Sequence, residues 1–445
     1  MPRPSALSFP SCALILLLTL LAPGLALAAN AEGQLDTNFG PAHNGKVTVP
    51  FNVGGGLVDT AYGAAMQSGG RLIVAGRVTT AVPQVGIGLV RLLPSGYADS
   101  SFGGSGTGQT TVFLAGATKV LGMLVQPDDR FLVYGNTADN GSNVMFAMRF
   151  LPDGAVDTAW ADQGLAIVHP SGLEVSANTA VLDSSGNLFL AGFASASGGG
   201  GNIDFAVAKL DAGGSLATSF GVRTVAFDNG GNNTDKAQAV AIQSDGKILL
   251  AGQADTAGNT QKLALARLDG SSGALDSGFG NLASGRSVAA IPGGFNGCVN
   301  EAAAIAVYRA SPSQRTLLVG GTHCLYDVAA TAAVAAFDNA GQLVTSFGSG
   351  GVATAGIFPD LYQSGAITAM ALQRPPIQPG LSLAFKLVLS GDAQYKTGSQ
   401  DRDMISMRLG ADGSLDTSYG NNGYQLAAFD VGGNKNDNAN GALLS

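Results

Sequence analysis

The sequence predicts an all-β fold: a β-propeller of six, or alternatively seven, four-stranded blades whose ring closes where the two chain ends meet. Three observations support this prediction. An aromatic phrase recurs at spacings of 58 to 72 residues, a two-strand apolar pattern recurs between its copies, and glycine is abundant, with 65 among 445 residues. Such glycines suit short strands joined by tight turns, and a four-stranded sheet repeated around an axis is a propeller blade.

The aromatic phrase has the form Leu-Asp-x-Ser-Phe-Gly, and residues 275–280 are a clear copy of it. A buried aromatic residue removes a large apolar area from water, so we expect each aromatic residue of the phrase to pack in the core between blades. The seven aromatic residues are Phe39, Phe102, Trp160, Phe220, Phe279, Phe347 and Tyr419.

The apolar pattern between the phrases predicts a hairpin, and its clearest copy runs from Ala239 to Gly252. Pairs such as Asp245-Gly246 and Ser185-Gly186 are typical of two-residue hairpin turns, because glycine tolerates positive φ. A third strand follows, as in residues 263–268, and a last short strand comes after the phrase, as in residues 45–49. Their consecutive apolar residues fit strands that are buried on both faces between neighbouring sheets.

The blade count follows from these copies. Six complete hairpins place six whole blades within residues 60–429, whereas seven phrases leave one strand over at each end of the chain. We expect the two leftover strands to meet at the ring closure, because closure removes exposed sheet edges. Insertions at 310–314 and 375–381 leave the hairpin geometry of the last two blades open.

The phrase and the Ala-Val-Ala-x-Gln-x-Asp-Gly-Lys-Ile-Leu-x-Ala-Gly pattern resemble the bacterial delta-60 repeat family of propellers. The unit also looks like an NHL-type blade, in which the Ala-Val-Ala strand would line the central channel. The resemblance covers nearly all of residues 33–445. It implies an extracellular or envelope-associated bacterial protein and no common activity.

The N-terminus has the pattern of an export signal. Arg3 precedes an apolar run from Cys12 to Ala22, and Ala26-Leu27-Ala28 fits the small-x-small cleavage rule. The run is shorter than the roughly 18–20 residues of a membrane span, which disfavours the alternative of a membrane anchor. We therefore expect residues 1–28 to be a signal peptide and residues 29–445 to be a single propeller domain, which is secreted, periplasmic or on the cell surface.

The charge pattern excludes one class of partner. The formal net charge is −8, only 12% of residues are charged, and Lys and Arg form no cluster. Binding of nucleic acid needs a basic surface, so we expect no nucleic-acid partner. No later segment looks like a transmembrane span, and we expect a monomer that binds an unknown protein or glycan.

Two cysteines follow the predicted signal peptide, Cys298 and Cys324. They flank the two strands of the fifth hairpin, so antiparallel pairing would bring them to the same edge. Export favours a disulfide between them. Two free thiols, or a metal site shared with His323, are the alternatives.

One class of loop is rich in oxygen ligands. Asp228, Asn232 and Asp235 lie around a Gly-Gly pair, residues 51–59 are a weaker copy, and a third copy is formed by Asp430, Asn434 and Asp437. Calcium prefers several such oxygens, so these residues are candidate calcium ligands, and calcium is the one cofactor that the sequence suggests. The same residue types also form ordinary turns, which is the favoured interpretation.

No catalytic constellation stands out. His43, His169 and His323 lie in separate repeats, and a serine-type triad or a nucleophile elbow is not visible. A basic residue recurs near the end of the third strand, where it either pairs with an aspartate of its blade or belongs to a functional ring. These residues are Arg91, Arg149, Lys209, Arg267 and Arg408.

These patterns favour a non-catalytic binding or interaction scaffold over an enzyme. Variable loops on a rigid ring suit binding, although the fold alone does not decide the activity. The alternative is an extracytoplasmic enzyme with its site at the central channel: a hydrolase, a lyase or a calcium-dependent, lactonase-like protein. A purely structural role within a larger surface protein is the third possibility.

Overall fold

The structure is a computed structural model, and the residues that it describes form strands, turns and extended segments without an α-helix. The described residues are 35–51, 59–79, 85–114, 116, 118–197, 201–228, 230, 233–257, 260–282, 284–291, 301–309, 315–325, 328–356, 362–374, 385–395 and 402–428, with the two pairs 15–16 and 442–443.

Six four-stranded antiparallel sheets follow one another along the chain, as the sequence predicts. Blade 1 comprises Thr60–Met66, Leu72–Thr79, Val85–Leu92 and Gln109–Phe113. Blade 2 comprises Lys119–Val125, Phe131–Asp139, Ser142–Phe150 and Leu165–Val168. Blade 3 comprises Leu173–Leu182, Leu188–Ala196, Ile203–Leu210 and Val222–Val225.

The other three sheets repeat the same order of strands. Blade 4 comprises Lys236–Ile242, Ile248–Thr256, Thr260–Leu268 and Arg286–Ala289. Blade 5 comprises Glu301–Arg309, Arg315–Leu325, Val328–Phe337 and Val352–Gly356. Blade 6 comprises Tyr362–Gln373, Lys386–Tyr395, Arg402–Leu409 and Tyr424–Ala427.

The blades pack face to face, and this packing explains the consecutive apolar residues. In the second strand of blade 4, Leu249 packs in the cluster shared with blade 5, whereas Leu250 packs in the cluster shared with blade 3. Both side chains are fully buried. The first strands of consecutive blades pack against one another from blade 1 to blade 6, which makes them the innermost strands of the propeller.

Every first strand contains a β-bulge, and the bulge explains a recurrent glycine. In blade 4 the register shifts between Ala237 and Ala239, opposite Gly252 and Ala251. A Cβ atom on Gly252 would lie 1.9 Å from the backbone oxygen of Lys236. The Ala-Gly ending of the hairpin pattern is therefore required by the close approach of the bulged strand.

The hairpin turns differ from the prediction. The residues Ser244, Asp245 and Gly246 form a three-residue turn, closed by the hydrogen bond from the backbone N–H of Gln243 to the oxygen of Lys247. Gly246 has φ of +80°. A type I turn followed by a left-handed glycine joins two strands in this way, so the two-residue turn predicted from Asp-Gly is wrong.

The predicted aromatic core is confirmed, because all seven aromatic residues of the phrase are buried. Five of the seven lie against a glycine of the following blade, as Phe102 does against Gly154 and Trp160 against Gly214. A side chain on either glycine would overlap the ring, and both glycines have positive φ. Each phrase thus joins its own blade to the next one.

The two chain ends approach each other, in agreement with the expected closure. The Lys46 ammonium donates a hydrogen bond to the backbone oxygen of Ala428, just after the last strand of blade 6. Ile15–Leu16 and Ala442–Leu443 form a parallel two-residue pair. The strand predicted at residues 45–49 is not formed.

Candidate functional site

The two ends of the ring differ in their connections. One end, called the loop face below, carries the connections from second to third strands and from each fourth strand to the next blade. The other end, called the turn face, carries the hairpin turns between first and second strands and the aromatic phrases between third and fourth strands.

The recurrent basic residue of the turn face is part of a clamp between blades. In blade 1, Arg91 forms an ion pair of 2.9 Å with Asp99 and lies over the ring of Phe102. Its Nη1 atom donates to the backbone oxygen of Pro152 in blade 2, at 2.7 Å. The same ion pair joins Arg267 to Asp276, at 2.8 Å.

The other basic residues singled out in the sequence make similar contacts. Arg149 and Arg408 also pair with the aspartates of their phrases. Lys209 has no such aspartate, and it donates to the backbone oxygen of Gly270 in blade 4 at 2.8 Å. These cations are occupied by contacts within and between blades, which favours the structural interpretation over a functional ring.

The clamp lowers the pKa of its carboxyl groups. Burial alone would raise the pKa of Asp99, but hydrogen bonds from Ser101 and the charge of Arg91 outweigh it, so the pKa lies below its usual value. Burial is likewise outweighed at Asp276 by Lys247 and Arg267, and at Asp416 by Lys386, Ser418 and Arg408. These carboxylates are stabilised in their charged form.

Three aspartates of the loop face have pKa values shifted in the opposite direction. Burial, together with the charges of Asp204 and Asp255, raises the pKa of Asp235 to about 6, although two backbone N–H groups partly offset the rise. Burial and the charge of Asp228 raise the pKa of Asp204. Burial also raises the pKa of Asp392, and Arg402 offsets only part of that rise.

The directions of these shifts therefore separate the two faces. Among the described aspartates with a clear shift, every raised pKa lies at the loop face and every lowered pKa at the turn face. The raised group is Asp204, Asp235 and Asp392. The lowered group is Asp99, Asp245, Asp269, Asp276, Asp412 and Asp416.

Asp235, a predicted calcium ligand, fastens its loop to the backbone. One carboxylate oxygen accepts a hydrogen bond from the N–H of Phe227 at 2.8 Å, and the other accepts from the N–H of Asp255 at 3.0 Å. In the weaker copy, Asp59 accepts from the N–H of Phe51 at 3.1 Å. The spacing that suggested a metal loop thus places an aspartate where it accepts hydrogen bonds from the backbone of its own loop. We call this arrangement the aspartate latch, and it supports the turn interpretation.

The other predicted ligands are only partly placed. Asp228 is exposed at the loop face, and its charge acts on Asp204. Asn232, Asp430, Asn434 and Asp437 lie outside the described residues. Over the described ranges, no group of three or more His, Cys, Asp or Glu side chains is arranged to hold a metal ion.

The predicted disulfide stays a prediction. Cys324 lies in the second strand of blade 5, whereas Cys298 lies outside the described residues. His323, the alternative metal partner, is buried, and this burial lowers its pKa.

The sequence analysis did not identify two pairs of neighbouring side chains at the loop face. Asp204 approaches Asp235 only through the packing of a connection on blade 3, where the backbone N–H of Asp235 donates to the oxygen of Ile203 at 2.7 Å. His169 Nδ1 lies 3.1 Å from an oxygen of Asp139, and both side chains are partly exposed. His169 and Asp139 lie 30 positions apart in the chain, so no short sequence motif indicates the pair.

A family model described as a domain of unknown function (DUF5122) beta-propeller matches residues 67–102, 126–159 and 243–279. Each matched segment runs from the end of a first strand into the aromatic phrase of the same blade. The match covers less than half of the chain, and it agrees with the propeller architecture. No curated protein matches the chain.

Solved structures with similar arrangements have low identity. Drosophila Semaphorin 2a is 11% identical over 89% of this chain and 70% of its own, with a TM-score of 0.41. The neuraminidase-like protein of A/flat-faced bat/Peru is 11% identical over 93% and 99%, with a TM-score of 0.39. The Cellvibrio cellulosa alpha-L-arabinanase is 12% identical over 62% and 92%, with a TM-score of 0.33. Likeness at this level carries no information about activity.

The described residues also bear on membrane insertion. Within these ranges, the structure contains no helix of the length and apolar character that crossing a membrane requires.

Proposed function

We propose that this chain is an extracytoplasmic interaction scaffold of the delta-60 type, which binds a protein or glycan ligand on its loop face. The observation that carries the proposal is the separation of the charges. Asp99, Asp276 and Asp416 of the turn face are paired with cations, whereas the charges that act on the pKa values of Asp204 and Asp235 at the loop face are those of other aspartates, Asp228 and Asp255 among them.

This asymmetry favours a ligand that carries positive charge. Carboxylates that repel one another gain from any approaching cation, and such a field also speeds association. Basic protein surfaces and amino-sugar glycans both supply cationic nitrogen atoms. The rigid clamps of the opposite face hold the blades that present these loops, and loops on a rigid scaffold are common binding elements.

The test compares two variants that remove the same number of charges. The loop-face variant combines Asp204→Asn with Asp228→Asn, and the turn-face control combines Asp128→Asn with Asp162→Asn. Binding to arrays of amino-sugar glycans and basic peptides is measured for both at several salt concentrations. We expect the loop-face variant to lose binding and salt dependence while the control keeps both. Equal binding by the two variants would refute the proposal.

An enzyme is the second candidate, and the His169–Asp139 pair is its support. A carboxylate at Nδ1 orients a histidine and leaves Nε2 free for proton transfer. The pair lies on the loop face of blade 2. Assays with p-nitrophenyl esters and glycosides test this candidate. If His169 takes part in hydrolysis, the activity of the wild type must disappear in His169→Ala.

A further inference from the structure

A short extended segment joins blades 3 and 4 at the loop face. It consists of Asn233, Thr234 and Asp235, and we call it the strap. The N–H of Ile203, in the third strand of blade 3, donates to the oxygen of Asn233 at 3.0 Å, and the N–H of Asp235 donates to the oxygen of Ile203 at 2.7 Å. Thr234 and Ile203 thereby form an isolated parallel bridge. The strap thus extends the edge of one sheet and leads into the first strand of the next.

Blade 4 holds the strap through two carboxylates. The N–H of Thr234 donates to a carboxylate oxygen of Asp255 at 3.3 Å, and the N–H of Asp255 donates to a carboxylate oxygen of Asp235 at 3.0 Å. The second oxygen of Asp235 accepts from the N–H of Phe227 at 2.8 Å. The donors in these three contacts are neutral backbone groups, so they leave the negative charge of both carboxylates in place.

These carboxylates are buried next to other acidic side chains. Asp235 is 1% exposed and Asp255 is 6% exposed. The charge of Asp204, on blade 3, acts on Asp235, and the Oδ1 atom of Asp204 is buried without a hydrogen-bond partner. Asp228, in the same connection as the strap, acts on Asp204 in turn. Buried carboxylates that repel one another favour the protonated form of at least one member.

The cations on the elements around the strap make other contacts. Lys236, the next residue of the chain, lies over the ring of Phe193, with its Nζ atom 5.1 Å from the ring centre. Arg286, in the fourth strand of blade 4, donates a hydrogen bond to the backbone oxygen of Ala226. Lys262 is a half-buried residue of the third strand of blade 4. None of the three is among the groups that act most strongly on the carboxyl group of the strap.

The closed strap therefore favours a proton on Asp235. Burial and the charges of Asp204 and Asp255 outweigh the two backbone N–H groups and raise the pKa of Asp235 from 3.8 to about 6. If the strap opens, its carboxyl group enters water and its pKa returns to the value of an exposed aspartate. Because the proton binds more tightly to the closed strap than to the open one, it stabilises the closed strap.

We propose that the strap is a proton-operated switch between blades 3 and 4. A proton on Asp235 keeps residues 233–235 on Ile203 and Asp255, and loss of this proton lets them separate. The strap is held more tightly at acidic pH than at neutral pH. Since it lies on the loop face, the proton also regulates the surface on which a ligand is proposed to bind. Only this consequence rests on the function proposed above.

Hydrogen exchange on the full chain, without a ligand, tests the switch. Mass spectrometry with fragmentation of peptic peptides follows the amides of Phe227, Thr234, Asp235 and Asp255 between pH 5 and 7.5, with correction for the intrinsic exchange rate at each pH. We expect protection of these amides to fall about tenfold over this range, as the pKa values of the open and closed strap require. The matched control within the chain is the N–H of Phe51, which donates to the exposed Asp59, and its protection should stay constant.

Two variants locate the proton. Asp235→Asn does not titrate, so its strap should show no fall in protection between pH 5 and 7.5. Asp204→Asn removes a repelling charge from the neighbourhood of Asp235, so the fall should move to lower pH, whereas the turn-face control Asp128→Asn should leave it in place. If Asn at position 235 loosens the strap at every pH, the shift in Asp204→Asn decides.

Three outcomes would overturn the proposal. The first is protection of the wild-type strap that does not change with pH. The second is an equal fall in Asp235→Asn, because the proton would then bind elsewhere. The third is a fall in Asp204→Asn at the same pH as in the wild type, since repulsion among these carboxylates would then not control the strap. None of these outcomes bears on whether the loop face binds a ligand.

Discussion

The guanidinium carbon of Arg91 lies 4.9 Å from the ring centre of Phe102, the aromatic residue by which blade 1 contacts blade 2. The same guanidinium group pairs with Asp99 and bonds to the backbone of blade 2. One arginine therefore neutralises a buried carboxylate, covers an interblade ring and joins two sheets. This clamp is the repeated device that holds the ring together at the turn face.

The clamp predicts a large effect of Arg91→Ala on stability. Removing one partner of a buried ion pair leaves an uncompensated charge, so we expect a loss of about 3 kcal/mol in the free energy of unfolding by urea. The control is Arg130→Ala, because Arg130 also pairs with aspartates but is half-exposed. Its loss should stay below about 1 kcal/mol. Similar losses for the two variants would contradict the assigned role of the clamp.

The bulged first strands predict opposite tolerance at two glycines of one hairpin. Gly252→Ala brings a Cβ atom to 1.9 Å from the oxygen of Lys236, so we expect a loss of more than about 3 kcal/mol. Gly246→Ala meets no atom within 4 Å, and only its positive φ is strained, which costs about 1 kcal/mol. Thermal unfolding of both variants checks the order, and the reverse order would show that the bulge is misplaced.

Much of the architecture was predictable because its signals are local. The aromatic residues of the phrase, the Ala-Gly endings and the four strands per unit all repeat in the sequence, and the structure confirms six blades. The turn type at Asp245-Gly246 was not predictable in the same way, because two-residue and three-residue turns both accept a left-handed glycine there.

The candidate site was less predictable, since its geometry depends on packing between distant residues. Asp235 was identified from its spacing to Phe227, but its role as a latch appears only when the N–H groups of Phe227 and Asp255 converge on it. The strand expected at residues 45–49 is not formed either, which the local sequence of this segment does not reveal.

The predicted disulfide between Cys298 and Cys324 has a direct test. Under non-reducing conditions the purified protein should be 2 Da lighter than after reduction, as expected for about one bridge. Reduction should lower the melting temperature, because the bridge closes the loop at the fifth hairpin and stabilises the fold by roughly 3 kcal/mol. The variant Cys298→Ala should melt with the reduced protein, and a free thiol at both positions in the oxidised protein would show the pairing to be wrong.

The raised pKa of Asp235 predicts an unusual pH dependence. The fold raises this pKa from 3.8 to about 6, so it favours the protonated carboxyl group. The resulting stabilisation is present at acidic pH and is lost as the pH rises through about 6. Through Asp235, lowering the pH from 7.5 to 5 should therefore contribute up to about 1 kcal/mol of stability after allowance for solvent screening. The aspartates with lowered pKa lose their contribution only at more acidic pH, and thus leave this window unaffected.

The variant Asp235→Asn isolates this effect, because its side chain does not titrate. It should lose the rise in stability that Asp235 contributes between pH 7.5 and 5, whereas the exposed control Asp128→Asn should keep it.

Calcium binding at this loop is tested with the variants Asp228→Asn and Asp235→Asn. Both oxygens of Asp235 already accept backbone hydrogen bonds, so we expect neither EDTA nor millimolar calcium to move the melting temperature. If calcium stabilised the wild type but neither Asp228→Asn nor Asp235→Asn, a metal would be part of this loop and the latch alone would not explain its sequence.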